Sequence, residues 1–131
     1  MSDGAYVDSS ALVAIGLDES GGKAIARLLG GFASLISSNL LEAELRSAFR
    51  REGLMEEPMS LPQVTWVLPD RPLSQEIHRV LEAGYVRGPD LWHLAAALYA
   101  SPNPGDLTFI SLDAQQRKVA ALLGFPVAPA N

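Results

Sequence analysis

Four acidic residues stand where a carboxylate could do chemistry: Asp8, Glu44, Asp90 and Asp113. Mg²⁺ and Mn²⁺ prefer oxygen ligands, and carboxylates supply them. Two such ions about 4 Å apart can activate a water molecule and stabilise the leaving oxygen of a phosphodiester. If the fold brings these acids together, the sequence predicts a divalent-cation site that acts on phosphate esters.

Other common catalytic motifs are missing from the sequence. The chain has no GxSxG nucleophile motif, no Walker phosphate-binding loop, no HExxH zinc motif and no glycine-rich dinucleotide turn after its first apolar run. It contains no Cys, which excludes thiol catalysis, thiolate-zinc sites and a disulfide scaffold. A carboxylate-based metal site is therefore the best supported chemistry.

Three of the acids also fit a simpler role near helix starts. Asp8 is a good helix-capping residue, although the adjacent Ser9-Ser10 can serve the same purpose. Asp90 is expected in the first turn of a helix, where the helix dipole favours its negative charge. Asp113 begins the run Asp113-Ala-Gln-Gln116, which has the form of a capping box. Each of these acids is weak evidence for a metal site when taken alone.

Glu44 is more informative because of the helix face on which it lies. On a helical wheel it falls between Leu40 and Ala48, inside the apolar arc, whereas Glu42 falls on the outer edge. An unpaired buried carboxylate costs several kcal/mol, so Glu44 needs a partner. Arg51 is the only basic residue near that side of the helix.

The two histidines are expected to have ordinary roles. His93 lies one turn after Asp90 on a strongly apolar segment, so it is expected to be a hydrogen-bonded core histidine rather than a metal ligand. His78 has polar neighbours on an amphipathic helix and is expected to be exposed.

Alternating apolar runs and amphipathic segments must position these residues. We predict strands at 5–7, 32–36, 64–68 and 107–112 with a possible edge strand at 125–127, and helices at 10–15, 23–29, 38–53, 73–84, 90–100 and 114–123. Such alternation is typical of an α/β fold with a central parallel sheet of about four to five strands flanked by helices. Ligands of these folds bind beyond the carboxyl ends of the strands, where Asp8 is expected.

The composition predicts a single globular domain over residues 1–131, with 48% hydrophobic and 19% charged residues. The net charge of −5 argues against a broad polyanion-binding surface, so any nucleic acid must be held locally. No segment resembles a signal peptide or a membrane span. We therefore expect a cytoplasmic protein with no membrane partner.

Four motifs, in order, resemble the PIN domains and, within them, the small VapC-type toxins of prokaryotic toxin–antitoxin pairs. They are VDSSALVAI with Asp8, SSNLLEAELRSAF with Glu44, RGPDLWHLAAAL with Asp90 and FISLDAQQRKVAALLGFPV with Asp113. The resemblance covers roughly residues 4–128. It implies a single PIN-like domain whose acids bind Mg²⁺ or Mn²⁺ and hydrolyse RNA. It also implies a homodimer and a cognate antitoxin protein that covers the active-site groove.

On this basis, Asp8, Glu44 and Asp90 are predicted to hold a first ion, and Asp113 to assist that ion, a second ion or the attacking water. These four residues are the predicted catalytic and metal-binding set. The predicted phosphate contacts are the arginines Arg46, Arg50, Arg87 and Arg117. Two segments depart from the family pattern: Gly88-Pro89 before the third acid, and the short proline-rich stretch 53–64.

Three alternatives remain open from the sequence. A catalytically inactive PIN-like module that binds RNA or protein fits the acidic composition. A response-regulator receiver needs a further acid beside Asp8 and a lysine after a late strand, but Ser9-Ser10 stand there and no lysine lies between Lys23 and Lys118. A haloacid-dehalogenase-like phosphatase needs an acid two residues after Asp8, at the position of Ser10.

Overall fold

The computed structural model describes residues 4–56, 58 and 61–129. Residues 1–3, 57, 59, 60, 130 and 131 of the predicted domain lie outside the described residues. The described strands are β1 (Gly4–Val7), β2 (Ser34–Ser38), β3 (Thr65–Val67), β4 (Thr108–Ile110) and β5 (Val127–Ala128). They form one parallel sheet in the order β3-β2-β1-β4-β5. The predicted α/β fold with a parallel sheet of about four to five strands is confirmed.

Helices flank this sheet. The α-helices of the described residues are α1 (Ser9–Gly16), α2 (Gly22–Leu29), α3 (Leu40–Arg51), α4 (Ser74–Ala83), α5 (Gly88–Ala100) and α6 (Ala114–Leu123). A 3₁₀ turn at Pro104–Asp106 leads into β4. None of the helices in the described ranges is long and apolar enough to cross a membrane.

Strand β1 separates two hydrophobic cores because its side chains alternate between the faces of the sheet. Ala5 and Val7 belong to the core that includes α1, α2 and α3, whereas Tyr6 belongs to the core that includes α4, α5 and α6. All three side chains are fully buried. Strand β1 is therefore covered on both faces, as predicted for a central strand that is followed directly by Asp8.

Strand β2 begins and ends later in the chain than the apolar pattern predicts, at Ser34–Ser38 rather than 32–36. Ser37 and Ser38 are fully buried, and β1 satisfies the Ser37 hydroxyl and the Ser38 N–H. Ser37 Oγ–H donates to the carbonyl of Val7 at 2.7 Å, and Ser38 N–H donates to the Tyr6 hydroxyl at 3.0 Å. Buried polar residues that have hydrogen-bond partners can form the end of a central strand. The apolar run alone therefore predicted the wrong bounds for β2.

Candidate functional site

A cleft of about 390 Å³ opens at the carboxyl ends of β1 and β4, and all four predicted acids line it. Strand β2, the next strand in the chain, pairs with one edge of β1, and β4 pairs with the other edge. This is a topological switch point, the usual ligand position in open α/β sheets. The structure thus brings Asp8, Glu44, Asp90 and Asp113 to the walls of a single cleft.

Asp8 lies at the base of the cleft and is only 3% exposed. It caps α1, since its Oδ2 accepts from Ser10 N–H at 3.2 Å and from Ser10 Oγ–H at 2.9 Å. The expectation that the serines cap this helix is therefore wrong; Ser10 is the donor and Asp8 the acceptor. The other oxygen, Oδ1, is buried without a hydrogen-bond partner in the described part of the chain. The capping role explains one oxygen of Asp8 and leaves the second unsatisfied.

Glu44 faces the cleft from α3, as the helical wheel predicts. Its Oε1 lies 2.6 Å from Nε2 of His93, a fully buried residue of α5. Glu42 points outward and pairs with Arg46 at 3.0 Å, with both side chains substantially exposed. The two glutamates of this helix are therefore clearly distinguished. The partner of Glu44 is His93, 49 residues along the chain, rather than a basic residue of α3.

His93 connects Glu44 to the core, as expected for a hydrogen-bonded core histidine. Its Nδ1 lies 2.7 Å from the Tyr6 hydroxyl. Its Nε2 is 3.7 Å from Asp8 Oδ1, too far for a hydrogen bond but close enough for electrostatic attraction when the ring is protonated. The predicted exposure of His78 is also confirmed, because its side chain is 78% exposed beside Glu82.

Asp90 lies in the first turn of α5, as predicted. Its side chain is 19% exposed, and Arg87 Nε lies 3.9 Å from its Oδ2. Burial raises the pKa of the Asp90 carboxyl, and the negative charges of Asp8 and Asp113 raise it further. The Arg87 guanidinium and the His93 imidazole act on the pKa of Asp90 in the opposite direction. The neighbouring carboxylates therefore contribute to the raised pKa of Asp90.

Asp113 caps α6, with Oδ1 accepting from Gln116 N–H at 2.9 Å. Only this half of the predicted capping box forms. The Gln116 side chain turns inward instead: its Oε1 accepts from Ser111 Oγ–H at 2.7 Å, and its Nε2 donates to the Asp90 carbonyl at 3.2 Å. Gln116 is fully buried and ties the start of α5 to the end of β4. It therefore fixes Asp90 relative to Asp113, a role that the capping-box pattern did not reveal.

The predicted phosphate contacts need correction. Arg117 is 8% exposed, and its guanidinium donates to the Ser111 carbonyl at 2.8 Å. It is a structural residue and lines a separate cavity beside α6 and β5. Arg46 and Arg50 line a separate cavity of about 380 Å³ beside the end of α3. Only Arg87 of the predicted set lines the acidic cleft, together with Arg51.

The acids line one cleft but do not form a closed ligand cage. In the described ranges, no three His, Cys, Asp or Glu side chains are grouped closely enough to hold a metal ion as they stand. The chemistry of the donor set nevertheless fits Mg²⁺ or Mn²⁺: all four side chains offer carboxylate oxygens, and Asp8 Oδ1 is buried with no donor from the part of the chain that the structure describes. Coordination by three of these side chains together would require them to move.

Comparisons of the chain with protein-family models, curated proteins and solved structures gave no match. Function is therefore inferred from the geometry of the cleft and from the sequence motifs that line it.

Proposed function

We propose that this chain is a metal-dependent endoribonuclease that hydrolyses RNA phosphodiester bonds, and that it is the cytoplasmic toxin of a toxin–antitoxin pair. The observation that carries the nuclease proposal is the buried Oδ1 of Asp8, which has no hydrogen-bond partner among the described residues and lies at the base of a cleft lined by three further carboxylates. A buried anionic oxygen without a donor is costly, and a cation is the partner that would satisfy it.

Asp8 would hold the ion through Oδ1, while its Oδ2 remains bound to Ser10. Glu44, Asp90 and Asp113 would complete the ligand set from the surrounding walls, directly or through water. When bound, Mg²⁺ or Mn²⁺ supplies an activated water at neutral pH and offsets the charge that develops on the phosphate.

The remaining residues of the cleft support these acids. His93 Nε2 lies 2.6 Å from Glu44 Oε1 and would donate to that carboxylate and orient it. Gln116 holds the backbone of Asp90. Arg51 and Arg87 lie on the walls of the cleft and would contact RNA phosphates, which fits the need for local binding in a chain of net charge −5.

The toxin assignment, the antitoxin partner and the homodimer are proposed from the motif resemblance. A catalytically inactive PIN-like module that binds RNA or protein is the second candidate. The lack of a preformed ligand cage among the described residues favours that candidate. Metal-dependent cleavage by purified protein would separate the two.

The two glutamates of α3 provide a matched test of the nuclease proposal. Glu44→Gln removes the charge but keeps an oxygen that can accept from His93, so the fold should survive. We expect this variant to lose at least about a hundredfold in Mn²⁺-dependent cleavage of a fluorogenic single-stranded RNA, since several kcal/mol of charge stabilisation are lost. Glu42→Gln loses only an exposed pair with Arg46, worth about 0.3–0.5 kcal/mol, and should cleave like the wild type.

Equal activity of the two variants, or the reverse ranking, would contradict the assignment of Glu44. A wild type that shows no EDTA-sensitive cleavage of any RNA tested would contradict the nuclease proposal and favour the binding module.

A further inference from the structure

A continuous chain of hydrogen bonds runs through the core to the cleft. Ser38 N–H donates to the Tyr6 hydroxyl at 3.0 Å, the Tyr6 hydroxyl lies 2.7 Å from His93 Nδ1, and His93 Nε2 lies 2.6 Å from Glu44 Oε1. Tyr6, Ser38 and His93 are fully buried. The chain connects β2, β1, α5 and α3, so only its Glu44 end reaches the cleft.

We propose that Tyr6 and His93 are positioning residues that fix the Glu44 carboxylate for a divalent cation, with Tyr6 holding the His93 ring against Glu44. This inference rests on the proposed function, because it concerns the same cleft. Neither residue lines the cleft, and each acts on the ion only through Glu44.

The tautomer follows from the partners of the ring. An ionised carboxylate can only accept a hydrogen bond, so the contact of 2.6 Å between His93 Nε2 and the Glu44 carboxylate is a hydrogen bond when Nε2 carries the proton. In the neutral ring, Nδ1 is then an acceptor, and the Tyr6 hydroxyl is the donor that faces it. The opposite tautomer would direct the lone pair of Nε2 at Glu44 and repel it.

The same arrangement explains why Asp8 Oδ1 stays unpartnered. The single proton on Nε2 is committed to Glu44 at 2.6 Å, and Asp8 Oδ1 lies 3.7 Å from that nitrogen. Tyr6 therefore leaves one carboxylate oriented and the neighbouring oxygen available. Groups that orient metal ligands in this way typically change metal affinity by about 10–100-fold when they are removed.

The test compares Tyr6→Phe with a matched control, Tyr99→Phe. The control also removes a tyrosine hydroxyl that donates a hydrogen bond, but to Asp70 at the surface. The first readout is the ¹⁵N NMR spectrum of the histidine rings without metal. We expect the same His93 ring resonances in the wild type and in Tyr99→Phe, and shifted, broadened ones in Tyr6→Phe, whose ring has lost its hydrogen bond at Nδ1.

The second readout is Mn²⁺ affinity, measured by calorimetric titration. We expect Tyr6→Phe to bind Mn²⁺ at least about tenfold more weakly than the wild type, and Tyr99→Phe to bind it equally. Circular dichroism checks that both variants are folded.

A second pair of variants decides the matter if Tyr6→Phe does not fold. His93→Gln retains an N–H donor that can reach Glu44, whereas His93→Leu has none. His93→Gln should retain most of the Mn²⁺ affinity, and His93→Leu should lose at least about tenfold. Equal affinity of these two variants would overturn the inference.

The failure of this inference differs from the failure of the proposed function. A wild type that binds no Mn²⁺ and cleaves no RNA would overturn both. A wild type that does both, beside a folded Tyr6→Phe with the same Mn²⁺ affinity and unchanged His93 resonances, would overturn the inference alone.

Discussion

Asp8→Asn is expected to abolish Mn²⁺-dependent RNA cleavage while the fold remains intact. Asn is about as good a helix-capping residue as Asp, and its carbonyl oxygen can still accept from Ser10. The substitution therefore removes the charge and places either an amide NH₂ or a neutral oxygen at the position of Oδ1. An ion held there would lose its most buried anionic ligand.

The expected loss in cleavage is at least about a thousandfold, which corresponds to about 4 kcal/mol of stabilisation in the transition state. The measurement is the initial rate with a fluorogenic RNA in excess Mn²⁺. Asp106→Asn is the control, because Asp106 lies before β4, at the opposite end of that strand from the cleft. If Asp8→Asn cleaved as fast as Asp106→Asn, Asp8 would be only a helix cap.

Asp90→Asn is expected to have opposite effects on stability with and without metal. Burial and the charges of Asp8 and Asp113 raise the pKa of Asp90, so the folded state binds this proton more tightly than the unfolded state does. The contribution of Asp90 to folding is thus most favourable below its unfolded pKa and is lost as pH rises through its folded pKa. At neutral pH the metal-free Asn variant should melt at the same temperature as the wild type or higher, despite losing a favourable helix-dipole contact.

Metal should reverse this ranking. A hundredfold excess over Kd stabilises the native state by about 2.7 kcal/mol, which raises the melting temperature of a domain of this size by on the order of 10 °C. We expect that rise in the wild type and a much smaller one in Asp90→Asn, as measured by scanning calorimetry at several pH values. Equal responses of the two proteins to Mn²⁺ would show that Asp90 does not contribute to ion binding.

The sequence alone predicted the features that depend on local pattern. The apolar run before Asp8 indicated the central strand, and alternating elements indicated the parallel sheet. The helical wheel separated Glu44 from Glu42, because the face of an amphipathic helix is set by residues within two turns. These predictions needed no knowledge of long-range contacts.

The features that the sequence did not reveal depend on such contacts. The end of β2 was missed because Ser37 and Ser38 are buried with hydrogen-bond partners on β1, α3 and α5. Arg117 was expected to contact a phosphate, but its guanidinium donates a hydrogen bond to the Ser111 carbonyl. His93 and Glu44 are 49 positions apart in the sequence. The local sequence pattern around either residue therefore does not predict that they pair.

The most direct test of the metal site is anomalous diffraction from crystals of the wild type soaked in Mn²⁺, recorded at the manganese absorption edge. The account predicts an anomalous peak within coordination distance of Asp8 Oδ1, with Glu44 and Asp90 turned toward it, and no such peak in Asp8→Asn crystals. A cleft without a peak in the wild type at saturating Mn²⁺, or an equal peak in Asp8→Asn, would contradict it.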